Sequence, residues 1–287
     1  MIWRTSQKIT PYIFILPFFV LFIVFKLAPL IYTLWDSFNV SQGLKYAFGL
    51  GNYLFLFKDK RFWEVLGNTG FYAVGDVSLR LVLSLSLAIA LNSALIKFKK
   101  VFRAIFFTPV LISSVVVAAT FIPLLNERYG MVNAITGWFG FHPAAWLGDR
   151  NVVKWSIIGV LEWRWTGYDM VFFLAGLQAI PQELLEVAQI DGANRWQSFI
   201  HVTLPLLKPV IALVVIVCLV GVFRMFDTPW LLTEGGPGSS SSTVAIYLYR
   251  NAFIYGKYAY GCTISVILFI IILVITIVQS KLLGVFE

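Results

Sequence analysis

The sequence predicts an all-α polytopic membrane protein with six transmembrane helices. Three observations lead there. Hydrophobic residues make up 59% of the 287-residue chain, against ~45–50% in soluble domains. Charged residues make up 13%, about half the usual ~25%, which is too little polar side chain to coat a soluble globule of this size. Six stretches also reach the ~20 mostly apolar residues needed to cross ~30 Å of hydrocarbon at ~1.5 Å per residue. Lipid offers no partners to backbone N–H and C=O groups, so each stretch must be helical.

In chain order the expected spans are about 12–34, 68–95, 104–126, 155–179, 206–227 and 261–279. Arg4 and Lys8 precede the first, which runs past Lys26 to Trp35 without an A-x-A-like site. That is too long for a cleaved signal, so it reads as an uncleaved span. The third holds no charged residue, and Pro109 and Pro123 are expected to kink it. An even number of spans puts both termini on one side. The segment Ile96–Arg103 carries Lys97, Lys99, Lys100 and Arg103 and no acid, which marks it as cytoplasmic, with Arg4, Lys8 and Lys281 on the same side.

The loops 39–67, 127–154 and 228–260 then face outward. They carry Lys58, Lys60, Arg61 and Arg128, but also acids. Phe62, Trp63, Trp138, Phe139, Phe141 and Trp146 flank spans as an interfacial aromatic belt would. Thr233–Ser242 reads T-E-G-G-P-G-S-S-S-S, a flexible loop by composition. It lacks the G-x-x-x-x-G-K-[ST] pattern, so no phosphate cradle is expected there.

The net charge of +8 does not imply nucleic acid, because the basic residues fall in short loops between apolar runs. Cys218 and Cys262 lie in or beside apolar runs and read as small hydrophobes. His142 and His201 are the only histidines, too few for a metal cluster.

Ionisable residues within the spans carry more information. Lys26, Asp76, Arg80, Glu162, Arg164, Asp169, Arg224 and Asp227 each cost ~2.5–3.5 kcal/mol at mid-helix, so most should face a partner helix or a wet path. Asp76 and Arg80 are four apart and share a helix face. They form either a self-satisfied ion pair or a polar wall of a translocation path. Arg224 and Asp227, three apart, admit the same two readings, and Lys26 can snorkel. In the fourth span Glu162 and Asp169 return to one face, with Trp163, Trp165 and Tyr168 beside them. Flat aromatic faces next to fixed donors and acceptors suit a polyhydroxylated ligand; the alternative is an interfacial aromatic cluster with structural ion pairs. The substrate-path candidates are Asp76, Arg80, Glu162, Trp165, Tyr168, Asp169, Arg224 and Asp227. No carboxylate pair stands out as the acid and base of a glycoside hydrolase.

Residues 181–205 are too polar to span. Pro181 suits a first helical position, a short helix follows over Gln182–Ile190, Gly192 ends it, and a second runs from Asn194 to about His201. Leu184, Leu185 and Ala188 share one side, opposite Glu183, Glu186 and Gln189. An elbow lying on the membrane would carry more Lys and Arg on its polar face. Acids dominate, which favours a protein groove.

The run E-V-A-Q-I-D-G-A at Glu186–Ala193, followed by Trp196, Phe199 and T-L-P at Thr203–Pro205, resembles the E-A-A…G…I-x-L-P loop of permease subunits of binding-protein-dependent ABC importers. Val187 stands where that family commonly has Ala. F-I-L-P at Phe14–Pro17, L-A-x-x-L-N at Leu87–Asn92, Y-G-x-x-N at Tyr129–Asn133, L-A-G-L-Q-A-I-P at Leu174–Pro181 and L-T-E-G-G-P at Leu232–Pro237 look like its carbohydrate-uptake branch, of the maltose or glycerol-3-phosphate type.

The resemblance implies the type I ABC importer permease fold in a prokaryotic plasma (inner) membrane, with both termini cytoplasmic. It implies a second permease subunit, a cytoplasmic ATPase dimer that binds the ATP and magnesium, an extracytoplasmic solute-binding protein and a sugar substrate. The chain itself would be neither an enzyme nor a cofactor carrier. By matching positions Glu186, Ala188, Asp191 and Gly192 would contact the ATPase, with Glu183, Ala193, Arg195 and Trp196 around them. Loops 233–242 and 52–63 are candidates to touch the binding protein. Alternatives are an importer for a non-sugar solute, a membrane-embedded enzyme, or a secondary transporter, which would show more spans and paired broken helices.

Overall fold

The computed structural model describes residues 12, 14–42, 45–93 and 96–282; Arg4, Lys8 and Leu95 lie outside the described residues. The chain divides into two compact units, one of residues 1–59 and 248–270, the other of 60–247 and 271–287.

In the first unit, α1 (Phe14–Asp36) is a single apolar helix, and none of its most apolar window is buried within the chain. Proline at position 29 lacks an N–H and crowds the carbonyl four residues back. The helix widens to a π-turn over Ile23–Leu27 just before it, with Ala28 N–H reaching back to Ile23 O. A hairpin follows, β1 (Asn39–Gln42) against β2 (Lys45–Phe48), antiparallel with Asn39 opposite Phe48. It is an addition to the otherwise helical architecture. Then comes α2 (Gly51–Lys58). Asn52 Nδ2 donates to the carbonyls of Ser37 and Asn39 at 3.3 and 3.0 Å. Thr263 Oγ1 donates to the same Ser37 carbonyl at 3.0 Å, so the turn after α1 is held from two directions.

The second unit opens with α3 (Lys60–Asn92). It starts eight residues earlier than hydropathy alone suggests, because Phe62 and Val65 turn inward and are buried. At 33 residues it is ~50 Å long, more than a bilayer core needs. Residues 104–126 do not form one straight span. They are divided between α4 (Lys99–Leu111) and α5 (Ser114–Leu124), bent by 97°. The break falls at Ile112–Ser113 rather than at either proline. Ile112 is extended, and the Ser113 hydroxyl accepts the Val116 N–H to cap α5.

After α6 (Met131–Trp138), the Asn133 side chain organises the next turn. It donates to the Glu127 and Ala144 carbonyls, both at 3.0 Å, and accepts the Trp146 indole N–H at 2.7 Å. Trp146 is therefore pinned to this loop rather than presented as a belt residue, while Trp138, Phe139 and Phe141 are exposed. The helix α7 (Val153–Ala179) leads by a 66° bend into α8 (Gln182–Ile190), and α9 (Arg195–Leu206) leads by a 64° bend into α10 (Lys208–Phe223). Then follow α11 (Asp227–Thr233), α12 (Val244–Tyr249), which runs on into a π-turn over Arg250–Ile254, and α13 (Tyr258–Leu282). Among the described residues three helices are long and apolar enough to cross a membrane alone, and counting each bent pair as one span gives up to six.

The core of this unit is the seam between α3, α7 and α10, where Val77, Ala88 and Leu91 meet Met170 and Phe173 and then Val214 and Cys218. Helix α4 packs on α7 at backbone contact. A Cβ at Gly167 would stand 1.8 Å from the Phe106 carbonyl oxygen, so only glycine fits.

The serine-rich loop after α11 is folded rather than flexible. Ser241, Ser242 and Thr243 are buried. Asn68 Nδ2 donates to the Ser239 and Ser242 carbonyls at 2.8 and 3.2 Å, and Val244 N–H donates to Thr69 Oγ1 at 3.1 Å. Thr243 Oγ1 donates to Met225 O at 2.7 Å. Composition misleads here because serine hydroxyls and side chains on α3 satisfy a backbone that would otherwise need water.

Candidate functional site

The seam of the second unit holds the site. Asp76 and Arg80 lie one turn apart on α3, on the face that meets α7 and α10. Asp76 is 0% exposed, and Arg80 Nη2 donates to both its carboxylate oxygens, at 2.5 and 2.6 Å. The other side of Arg80 faces α7, with Nε 3.8 Å from Asp169 Oδ2. The Cys218 thiol of α10 donates to that same oxygen at 3.5 Å. One guanidinium thus stands between two carboxylates from different helices, which is how buried charge is tolerated. Glu162 is buried and accepts a hydrogen bond from Thr166 Oγ1 at 2.8 Å.

Beside this cluster is a cavity of about 210 Å3. Arg80, Trp165, Tyr168, Asp169, Arg224 and Asp227 line it, together with Leu161, Val217, Cys218, Gly221, Val222, Met225 and Thr228. Six of the eight residues singled out from the sequence therefore meet in one place. Asp76 and Glu162 are not in the lining: the first is held by Arg80, and the second engages Thr166 through one carboxylate oxygen. The cavity offers guanidinium donors, carboxylate acceptors and two aromatic rings, Trp165 and Tyr168, edge to face with centroids 5.9 Å apart. A ligand with many hydroxyls and apolar C–H faces matches that mixture. Among the described residues no group of three or more His, Cys, Asp or Glu is placed to hold a metal ion.

Arg224 and Asp227 do not pair with each other. Helix α10 ends at Phe223 with Arg224 as its C-terminal cap, and Asp227 opens α11. Asp227 Oδ2 instead accepts from the Ser114 hydroxyl and lies 3.5 Å from Arg164 Nη1. Arg164 did not stand out as a site residue from the sequence. One signal would have found it: Val160, Leu161, Gly167 and Tyr168 occupy its i±3 and i±4 positions, so a buried arginine there must find its acid on another helix.

The elbow is the second feature. Helix α8 has the bounds expected for it, with Pro181 just before its first turn as the N-cap. Gly192 has φ +84°, the left-handed conformation that closes a helix. Gly192 N–H and Ala193 N–H reach back to the carbonyls of Gln189 and Ala188 at 3.0 and 2.9 Å. Asn194 then starts α9 with a reciprocal capping box: Gln197 N–H donates to Asn194 Oδ1, and Asn194 N–H to Gln197 Oε1. The second helix runs on to Leu206, beyond the expected His201, through a π-turn at Phe199–Thr203 that precedes Pro205. Leu184, Val187, Ile190 and Trp196 are exposed, as are Glu183, Glu186, Asp191, Gly192 and Arg195, while Ala188 and Ala193 are half-buried. The elbow's backbone is closed by these hydrogen bonds, and it presents apolar and acidic side chains together.

Comparison with known proteins agrees with this arrangement. The sequence model for the "binding-protein-dependent transport system inner membrane component" family matches residues 80–284. An arabinooligosaccharides transport system permease protein of Bacillus subtilis is 37% identical over 291 residues, covering 99% of this chain and 93% of that protein. A trehalose/maltose transport system permease protein of Thermococcus litoralis is 36% identical over 273 residues, 94% and 92% of the two chains. Among solved structures, a chain of a bacterial ABC transporter involved in the import of the acidic polysaccharide alginate superposes with a TM-score of 0.84 at 24% identity, covering 100% of this chain and 99% of that one. It shares the fold. With a family match over most of the sequence and relatives aligned nearly end to end, the chain belongs to the inner membrane components of binding-protein-dependent transport systems, the multi-pass permease subunits of ABC importers.

Proposed function

We propose that the chain forms one half of the translocation pore of an ATP-driven sugar importer. The observation that carries this reading is the cavity between α7, α10 and α11, where Trp165 and Tyr168 stand beside Arg80, Asp169, Arg224 and Asp227. Relatives aligned over nearly the whole chain and named for arabinooligosaccharide and for trehalose/maltose transport support a saccharide as the cargo.

In this reading both termini are cytoplasmic, a second permease subunit completes the pore, and an extracytoplasmic solute-binding protein delivers the sugar to the outer loops. A pair of cytoplasmic ATPases binds ATP and magnesium and grips the elbow at 181–205. Glu183, Glu186, Asp191 and Arg195 supply its charged contacts, Trp196 an apolar one, and Ala188, Gly192 and Ala193 allow close approach. Closure of the ATPase pair moves the elbow, and the 66° and 64° bends beside it carry that motion into α7 and α10, whose side chains line the cavity. A ligand shifts such an equilibrium only by its differential affinity for the two states. The cavity must therefore hold the sugar more weakly in the state that releases it.

The test is uptake of labelled neutral di- and trisaccharides by proteoliposomes holding the assembled importer and its binding protein. ATP-dependent accumulation that is lost in Asp169→Asn supports the reading. Binding-protein-stimulated ATP hydrolysis with no saccharide, but with an amino acid or polyamine, would sink the sugar assignment.

A further inference from the structure

We propose that Arg164 is the positioning residue of the cavity, a peg that locks the α4–α5 break and the start of α11 against α7 and so keeps the outward path closed. The inference rests on the importer reading and on the orientation given with it. Three chain segments converge on this one guanidinium. Nη2 donates to the Ile112 carbonyl at 3.1 Å, a carbonyl at the end of α4 that the break leaves without a helical partner. Nη1 donates to Ser114 Oγ at 2.8 Å and lies 3.5 Å from Asp227 Oδ2. The Ser114 hydroxyl, accepting from Arg164, passes its own hydrogen to that same oxygen. The guanidinium also lies 5.4 Å from the Trp165 ring.

Arg164 is 9% exposed and does not line the cavity. Two residues it holds, Asp227 and Trp165, do. It therefore acts on the cavity through others. In the proposed orientation α11 follows the outer end of α10. In this proposal the cavity opens outward by drawing α11 away from α7, which parts Asp227 from Arg164. A contact present in one state and broken in the other biases the equilibrium by its own strength. Losing it should favour the outward-open arrangement, in which the ATPase pair is closed, without help from the binding protein.

The experiment measures ATP hydrolysis by the assembled importer in proteoliposomes, with and without sugar-loaded binding protein. Arg164→Gln should raise the rate without binding protein by roughly 5-fold or more, the lower end of ordinary allosteric coupling. Asp227→Asn should raise it as well, and the double variant should do no more than Arg164→Gln, because the Arg164–Asp227 contact is already gone there. A purely structural role would lower the yield of assembled complex and leave this rate where it was. An unchanged or lower rate in Arg164→Gln overturns the proposal, as does an additive double variant. Should Arg164→Gln fail to assemble, Ser114→Ala removes only the bridging hydroxyl, and its rate must rise in the same direction. If the unsubstituted complex is not stimulated by its binding protein at all, the importer reading falls and this proposal with it. A stimulated complex that ignores Arg164→Gln sinks the peg alone.

Discussion

Replacing Gly167 by alanine tests the backbone contact between α4 and α7 directly. The new Cβ would stand 1.8 Å from Phe106 O, 2.4 Å from its carbonyl carbon and 3.1 Å from Phe107 N, where ordinary contact begins at 3.4 Å. These are backbone atoms in the middle of a helix, so no rotamer change relieves the clash. Helix α4 must retreat by about 1.6 Å, the difference between 3.4 and 1.8 Å. Overpacking of this kind costs ~1–3 kcal/mol. The retreat also threatens the bond from Arg164, one turn away on α7, to the Ile112 carbonyl at 3.1 Å, and a hydrogen bond to a charged group contributes ~1.5–3 kcal/mol. Together the loss is roughly 2.5–6 kcal/mol. The assay is thermal unfolding of the purified chain in detergent, with Gly159→Ala as control. Gly159 is on the same helix and has nothing within 4 Å of its Cβ position, so that variant should melt at or slightly above the parent, since alanine favours helix by ~0.8–1 kcal/mol. If Gly167→Ala melts together with Gly159→Ala, the helices are not in backbone contact and the reasoning fails.

Three other outcomes follow from named contacts. Asn68→Ala removes the donor that holds the Ser239 and Ser242 carbonyls and should cost ~1–3 kcal/mol, read as faster hydrogen exchange across residues 234–243. Asp76→Asn leaves Arg80 buried with only the 3.8 Å contact to Asp169 as its ion pair and should destabilise the chain by ~3–5 kcal/mol; in the same melt Asp76→Asn should be far worse than Asp36→Asn. Gly192→Arg forces a side chain into φ +84°, at a cost of ~1–2 kcal/mol, and fills the space beside α8. It should abolish co-purification of the ATPase while leaving the melting of the chain nearly intact, and retained ATPase binding with normal uptake would remove the elbow from the mechanism.

The helical, membrane-embedded class was legible because it rests on run length and on scarcity of charge, which are properties of windows rather than of single contacts. The elbow was legible for a related reason. Proline before Gln182 and glycine at position 192 are local stop signals, and α8 lies between them. What escaped depended on partners distant in sequence. Prolines drew attention to positions 109 and 123, yet the third stretch turns at Ile112–Ser113, where Arg164 takes the freed carbonyl from 52 residues away. The serine-rich loop looked solvated until Asn68, 171 residues before Ser239, supplied its hydrogen bonds. Pairing with Arg224 was one of two readings open for Asp227, but the end of α10 at Phe223 separates them. The hairpin at Asn39–Phe48 has neither a strong alternation nor an Asn-Gly turn to announce it.

Arg80 and Arg164 impose different demands on synthesis. Arg80 carries its counter-ion one turn earlier on the same helix, so α3 can leave the translocon already neutralised. Arg164 has to wait for Asp227, 63 residues further along the chain, or ~3–13 s at ~5–20 residues per second. During that interval the helix bearing Arg164 needs shelter from lipid, from the insertion machinery or from water at its edge. The nascent permease should therefore be most vulnerable to quality-control proteolysis between completion of its fourth and fifth hydrophobic segments.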